Sequence, residues 1–175
     1  MTSAMNAAIT GATTGPDPAW HTGPRILPVL TVPSATTAEP LADALVRAGV
    51  GTVEVTLRTP EALEALRRMA AHGGLTVGAG TVLTPEQAER AVAAGASFVV
   101  SPGLDEDVLT KCQELGVPVV PGIATASELI RALRAGIGTV KLFPAELVGG
   151  PALVRNLAAP FPGVRFVPTG GIGPE

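Results

Sequence analysis

Only two of the twelve basic residues in this 175-residue chain are lysines, and the two have different surroundings. Lys111 falls in Asp105-Glu106-Asp107-Val108-Leu109-Thr110-Lys111-Cys112, which reads as the polar face of a helix. Lys141 falls in Thr139-Val140-Lys141-Leu142-Phe143-Pro144, inside an apolar, strand-like run. An amine can do what a guanidinium cannot: shed its proton and attack a carbonyl. The structural alternative for Lys141 is a lysine snorkelling from a half-buried strand. Residues at the other candidate strand ends favour the chemical reading. They are Glu54 and Arg58 in Val53-Glu54-Val55-Thr56-Leu57-Arg58, Thr81 in Gly78-Ala79-Gly80-Thr81-Val82, Pro102 in Ser101-Pro102-Gly103, and Thr169-Gly170-Gly171.

A lysine, a carboxylate, an arginine and a glycine pair are the groups that a carbonyl–carbanion reaction on an anionic sugar needs. Burial disfavours the charge of an ammonium and leaves more free amine. Lys141 would add to a ketone and form an iminium, the electron sink into which a neighbouring C–C bond breaks to leave an enamine. Glu54 would shuttle protons during carbinolamine breakdown and bond cleavage, through a water if needed. Arg58 offers a planar donor fork to a substrate carboxylate, and Thr81 adds a hydroxyl donor to the same group. Gly170 and Gly171 would bring backbone N–H groups close to an anion. Taken singly, a Gly-Gly after a strand is as readily a plain turn, and Glu54 with Arg58 as readily a structural ion pair. Their convergence is the stronger signal. The iminium is itself the electron sink, so no cofactor is expected. A metal-dependent route needs a ligand cluster, and the chain has two histidines, His21 and His72, both read as solvated. Cys112, the single cysteine, reads as a packing residue of a helix.

The elements that must carry these residues alternate regularly. Strand candidates are Ile26–Val32, Thr52–Arg58, Leu75–Val82, Phe98–Pro102, Val117–Ile123, Thr139–Phe143 and Arg165–Thr169, their starts 19 to 26 residues apart, the length of one βα unit. Thr36-x-x-Glu39, Thr84-Pro85-x-Gln87 and Thr125-x-x-Glu128 read as capping boxes. Pro60, Pro85 and Pro151 fit first helical positions, and Gly49, Gly95, Gly116 and Gly136 fit helix ends. Consecutive βα units imply a parallel sheet covered by helices, either a doubly wound open sheet or a (β/α)8 barrel. Strand parity favours the barrel. Glu54, Thr56 and Arg58 share one face and Val53, Val55 and Leu57 the other. The polar set suits a barrel interior near its C-terminal rim, and the same parity turns Lys141 and Phe143 inward. The chain stops at Glu175, where a seventh helix should begin. The expectation is therefore an α/β, TIM-type (β/α)8 barrel with seven strands and the eighth βα unit missing from this chain. Residues 1–24 read as a poorly ordered N-terminal extension and residues 25–175 as an incomplete barrel domain.

Composition narrows the partners. Net charge is −3 with dispersed arginines, which leaves no basic footprint for nucleic acid, and 3% aromatics leaves little for stacking on bases. No apolar run approaches the ~18 residues of a membrane span, and the first 24 residues lack the charged and apolar regions of a secretory signal. The lone cysteine fits a reducing compartment. A cytoplasmic protein acting on a small molecule is expected.

Six motifs carry a specific resemblance: Val53-Glu54-Val55-Thr56-Leu57-Arg58, Gly78-Ala79-Gly80-Thr81-Val82-Leu83, Ser101-Pro102-Gly103, Pro121-Gly122-Ile123, Lys141-Leu142-Phe143-Pro144-Ala145-Glu146 and Pro168-Thr169-Gly170-Gly171-Ile172. In this order, from about Ile26 to Glu175, the chain resembles the 2-keto-3-deoxy-6-phosphogluconate aldolase family. The resemblance implies a class I aldolase that splits a keto-acid phosphate into pyruvate and glyceraldehyde 3-phosphate in the Entner–Doudoroff pathway. It also implies activity on 4-hydroxy-2-oxoglutarate and assembly as a homotrimer. By the same resemblance Lys141 is the Schiff-base lysine and Glu54 the base. Arg58, Thr81 and Pro102 belong to the pyruvate end, and Thr169, Gly170 and Gly171 to the phosphate end, with Phe143 among the substrate-binding residues. Arg58-Thr59-Pro60 and Thr169-Gly170-Gly171 favour the gluconate-type enzyme over its sister acting on 2-dehydro-3-deoxy-6-phosphogalactonate. Two other classes stand beside it: a non-catalytic phosphosugar-binding barrel, and an inactive truncated fragment of the aldolase.

Overall fold

The computed structural model describes residues 26–173. The extension read at residues 1–24, His21 included, lies outside them. The strands are β1 (Val29–Leu30), β2 (Thr52–Thr56), β3 (Thr76–Gly80), β4 (Phe98–Val100), β5 (Val119–Val120), β6 (Gly122–Ile123), β7 (Thr139–Leu142) and β8 (Arg165–Pro168). The helices are α1 (Ala38–Arg47), α2 (Ala62–Ala71), α3 (Pro85–Ala93), α4 (Glu106–Glu114), α5 (Ala126–Arg134) and α6 (Gly150–Ala158). Two compact units result. One holds residues 26–101 with Glu106–Val119, the other Pro102–Asp105 with residues 120–173.

The first unit is built on the parallel sheet β1-β2-β3-β4-β5, the second on the parallel sheet β6-β7-β8. Every residue of β2 and β4 is buried, so both faces of these strands are covered. Helix α2 packs on β2 and β3. It does so because Ala62, Ala65, Leu66 and Met69, spaced three and four apart, form one apolar stripe that is fully buried. Burying a side chain such as Leu66 contributes about 1.5–3 kcal/mol.

The strands are shorter than their apolar runs. The first spans two residues of the expected seven, and the expected fifth strand is two ladders separated by Pro121, which has no N–H to donate. Its carbonyl still accepts from the Lys141 amide at 2.9 Å. The run ending in Arg58 is corrected: β2 stops at Thr56, and Arg58 lies in the following turn.

Helix starts follow the sequence in part. Thr125 and Glu128 form the full capping box of α5, and Pro85 opens α3 behind the N-cap Thr84. At Thr84 only half of the expected box forms, because Gln87 Oε1 accepts from the Leu83 amide instead. The box expected at Thr36 is absent: Ser34 caps a 3-10 turn over Ala35–Thr37, and α1 follows without a side-chain cap. Pro60 precedes α2 by two residues instead of opening it. Gly49, Gly95, Gly116 and Gly136 all take the left-handed conformation that ends a helix.

Candidate active site

The first unit holds Glu54, Arg58 and Thr81. Glu54 occupies the centre of β2, is 2% exposed, and stands opposite Gly78 in the β2–β3 register. Strand β3 reads Thr-Val-Gly-Ala-Gly, and its alternation puts Val77 and Ala79 on one face and the two glycines on the other. The glycine face is empty for a reason. A Cβ at Gly80 would overlap the Glu54 carboxylate, and a Cβ at Gly78 would overlap the Phe98 ring. A strand glycine often marks a place where another group approaches closely; the sequence signal does not say which group.

Just beyond β3, Thr81 has φ 58°, the one non-glycine residue with positive φ among the described residues. A β-branched side chain there costs about 1–3 kcal/mol. Its hydroxyl accepts from Arg58 Nε at 3.0 Å, and the Leu57 amide donates to the Gly80 carbonyl at 2.8 Å. The turns after β2 and β3 are therefore joined, with the exposed Arg58 guanidinium between them. With Nε engaged, the fork of terminal nitrogens remains for a carboxylate.

The second unit holds Pro102, Lys141, Phe143 and Thr169-Gly170-Gly171. Lys141 lies in β7, the middle strand of three, in register with Gly122 and Val167 and 5% exposed. Pairing on both sides fixes its backbone. Its Nζ stands 5.3 Å from the centre of the Phe143 ring, within cation–π range. A Cβ at Gly122, the register partner of Lys141, would overlap the Pro102 carbonyl, so Pro102 is packed against that strand. Phe143 follows β7 by one residue, and its peptide bond to Pro144 is cis.

Thr169 donates its amide to the Leu142 carbonyl at 3.0 Å, which leads the chain from β8 into the glycine pair. Gly170 and Gly171 have φ 96° and 75°, values that favour glycine. The Ala145 and Glu146 amides donate to the carbonyls of Thr169 and Gly170 at 2.8 and 3.1 Å. The glycine loop is thereby tied to the segment after Phe143. The Glu146 carboxylate fills the space that a side chain at Gly171 would take, a contact the sequence reading missed.

The other candidates resolve simply. Cys112 is buried, and desolvation pushes its thiol up to about 11, far from a nucleophile's range. Lys111 pairs with Glu114 at 2.8 Å, and that hydrogen bond raises its pKa and keeps it charged. His72, expected to be solvated, instead bonds Asp43 through Nε2 at 2.9 Å. Among the described residues no three His, Cys, Asp or Glu side chains group to hold a metal ion, and no helix is long and apolar enough to cross a membrane.

The parallel strands thus carry a buried lysine, Lys141, in one unit and a buried carboxylate, Glu54, in the other. Residues 20–175 match the aldolase family described as KDPG and KHG aldolase, where KDPG is 2-keto-3-deoxy-6-phosphogluconate. The chain is 53% identical over 151 residues to the 2-dehydro-3-deoxy-phosphogluconate aldolase of Treponema pallidum, covering 85% of this chain and 71% of that protein. It is 47% identical over 154 residues to the KHG/KDPG aldolase of Escherichia coli K12, covering 87% of this chain and 72% of that one. The crystal structure of KDPG aldolase from Legionella pneumophila, with pyruvate captured as a covalent carbinolamine, superposes with a TM-score of 0.81 at 42% identity, covering 83% of this chain and 71% of that chain. The chain belongs to the KDPG and KHG aldolase family, and its α/β fold with parallel sheets is similar to that of the TIM-type barrel aldolases.

Proposed function

We propose that this chain is a class I aldolase that cleaves 2-dehydro-3-deoxy-6-phosphogluconate to pyruvate and glyceraldehyde 3-phosphate, with Lys141 as the nucleophile. The observation that carries the proposal is a lysine only 5% exposed on a central strand, beside an aromatic ring, in a family whose Legionella member holds pyruvate as a carbinolamine. The Lys141 amine adds to the C2 ketone of the substrate, and loss of water gives an iminium. Glu54 takes the proton of the C4 hydroxyl as the C3–C4 bond breaks. The electron pair passes into the iminium, the aldehyde leaves, and an enamine remains. Proton return to C3 and hydrolysis release pyruvate and free Lys141.

Arg58 holds the substrate carboxylate by its terminal nitrogens, with Thr81 beside it, and Pro102 and Phe143 line the pyruvate end. Thr169, Gly170 and Gly171 receive the phosphate through backbone N–H groups. 4-Hydroxy-2-oxoglutarate, cleaved to pyruvate and glyoxylate, is a second substrate in this reading, in line with the double name of the family. No cofactor enters, because the iminium itself accepts the electrons. The fold that goes with this reading is a TIM-type (β/α)8 barrel of which residues 25–175 hold seven strands. Family likeness further supports a cytosolic homotrimer of the Entner–Doudoroff pathway, which sedimentation of the purified protein tests for the trimer.

The test is borohydride reduction in the presence of pyruvate, followed by intact mass and peptide mapping, with Lys141→Arg as the control. A pyruvyl adduct on Lys141, lost in the variant, is the expected result. A folded chain that yields no adduct refutes the proposal.

A further inference from the structure

We infer that Thr59 is a positioning residue for Arg58, acting through the turn after β2; the inference rests on the reading of Arg58 as the carboxylate-binding group. Arg58 is exposed and carries a long side chain, so its fork is useful only if the backbone that bears it is held. On the β3 side the turn is held by the Leu57 amide on the Gly80 carbonyl and by Arg58 Nε on Thr81 Oγ1. Towards β1 the ties are made by side chains. Thr59 Oγ1 donates to the Val32 carbonyl at 2.8 Å. Thr56 Oγ1 bonds the Leu30 carbonyl and Thr31 Oγ1, each at 3.0 Å, and Glu61 Oε2 accepts from the Ala35 amide at 2.7 Å.

Of these three, Thr59 adjoins Arg58; its carbonyl accepts from the Ala62 amide at 3.1 Å, a tie forward to α2, so towards β1 the turn at Arg58 depends on the Thr59 hydroxyl. Pro60 has no N–H, and the Arg58 amide is turned back onto the Thr56 carbonyl at 2.9 Å. Proline also narrows the backbone choices of the residue before it, which limits how the turn at Thr59 can relax once its hydroxyl bond is made. Thr59 therefore fixes the β1 side of the turn while Thr81 fixes the guanidinium. Without the Thr59 bond the fork would still exist but would spend less time aimed at a carboxylate.

The experiment is borohydride trapping over a range of pyruvate concentrations on the full chain and on T59V, T59A, T59S, R58Q and R58Q/T59V. T59A is included because a valine methyl in place of the hydroxyl can itself displace the turn. Loss of one neutral hydrogen bond predicts that half-saturating pyruvate rises about two- to tenfold in T59V and T59A, with trapping at saturating pyruvate unchanged. T59S should match the parent. In the R58Q background, T59V should add nothing, because the group it positions is gone. Unchanged half-saturation in T59V and T59A, or a T59V effect that persists in full on R58Q, would overturn the inference. If R58Q itself leaves half-saturation unchanged, the carboxylate reading of Arg58 fails and the inference falls with it.

Discussion

Gly80→Ala is the sharpest structural test of how Glu54 is held. The added methyl would overlap the Glu54 carboxylate, and Glu54 is 2% exposed, so it has little room to withdraw. Overpacking of this kind costs about 1–3 kcal/mol. Gly80 ends a strand without positive φ, so alanine is conformationally acceptable and narrows the unfolded ensemble, an offset of about 0.4–1 kcal/mol. The mid-values leave a net loss of about 1.3 kcal/mol, or about 3–5 °C in melting temperature for a chain of this length. On the proposed role of Glu54 as the base, a displacement of about 1 Å can cost about a hundredfold in rate, so pyruvate-dependent trapping should slow at least about tenfold. The assay pairs thermal melting with trapping rate in G80A, E54A and E54A/G80A. With the carboxylate removed, alanine at position 80 should cost nothing, so the double variant should melt no lower than E54A. An equal melting loss in both backgrounds would refute the idea that Gly80 is glycine to accommodate Glu54. A G80A chain that melts and traps like the parent would refute it as well.

Three further outcomes follow from local geometry. Thr125→Ala breaks the capping box in which Thr125 Oγ1 accepts from the Glu128 amide at 3.3 Å; stability should fall by about 1 kcal/mol, read by denaturant titration. Hydrogen bonds from Arg67 and then Arg68 lower Glu64 from 4.5 to about 2. A lowered carboxylate contributes stability above its unfolded value and loses it as pH falls through its folded value. The Glu64 contribution should therefore fade between pH 4.5 and about 2, be absent in E64Q, and shrink in high salt because the site is exposed. Cys112, buried with its thiol pushed up to about 11, should resist a thiol reagent at pH 8 until denaturant is added. Labelling of the folded chain at the rate of a free thiol would contradict its placement.

The order of strands and helices was legible in the sequence because it rests on local terms. β-Branched runs, caps such as Thr125 with Glu128, and glycines such as Gly95 that end helices act within a few residues of themselves. That Arg58 and Thr81 lie close together was expected from their strand ends, but their bond to each other, and the place of Arg58 in a turn instead of on the strand, were not. The Thr36 box failed because Ser34 Oγ accepts from the Thr36 amide, and Glu61, 26 residues away, accepts from the neighbouring Ala35 amide, so the chain turns as a 3-10 helix before α1. Sequence alone determined the family, the lysine that belongs to a strand, and the alternation that makes the strands parallel. Only tertiary structure decided that Gly80 leaves room for Glu54, that Glu146 lies against Gly171, and that Thr59 ties the Arg58 turn to Val32. Those contacts join residues distant in the chain, where register and close approach, not local preference, set which atoms meet.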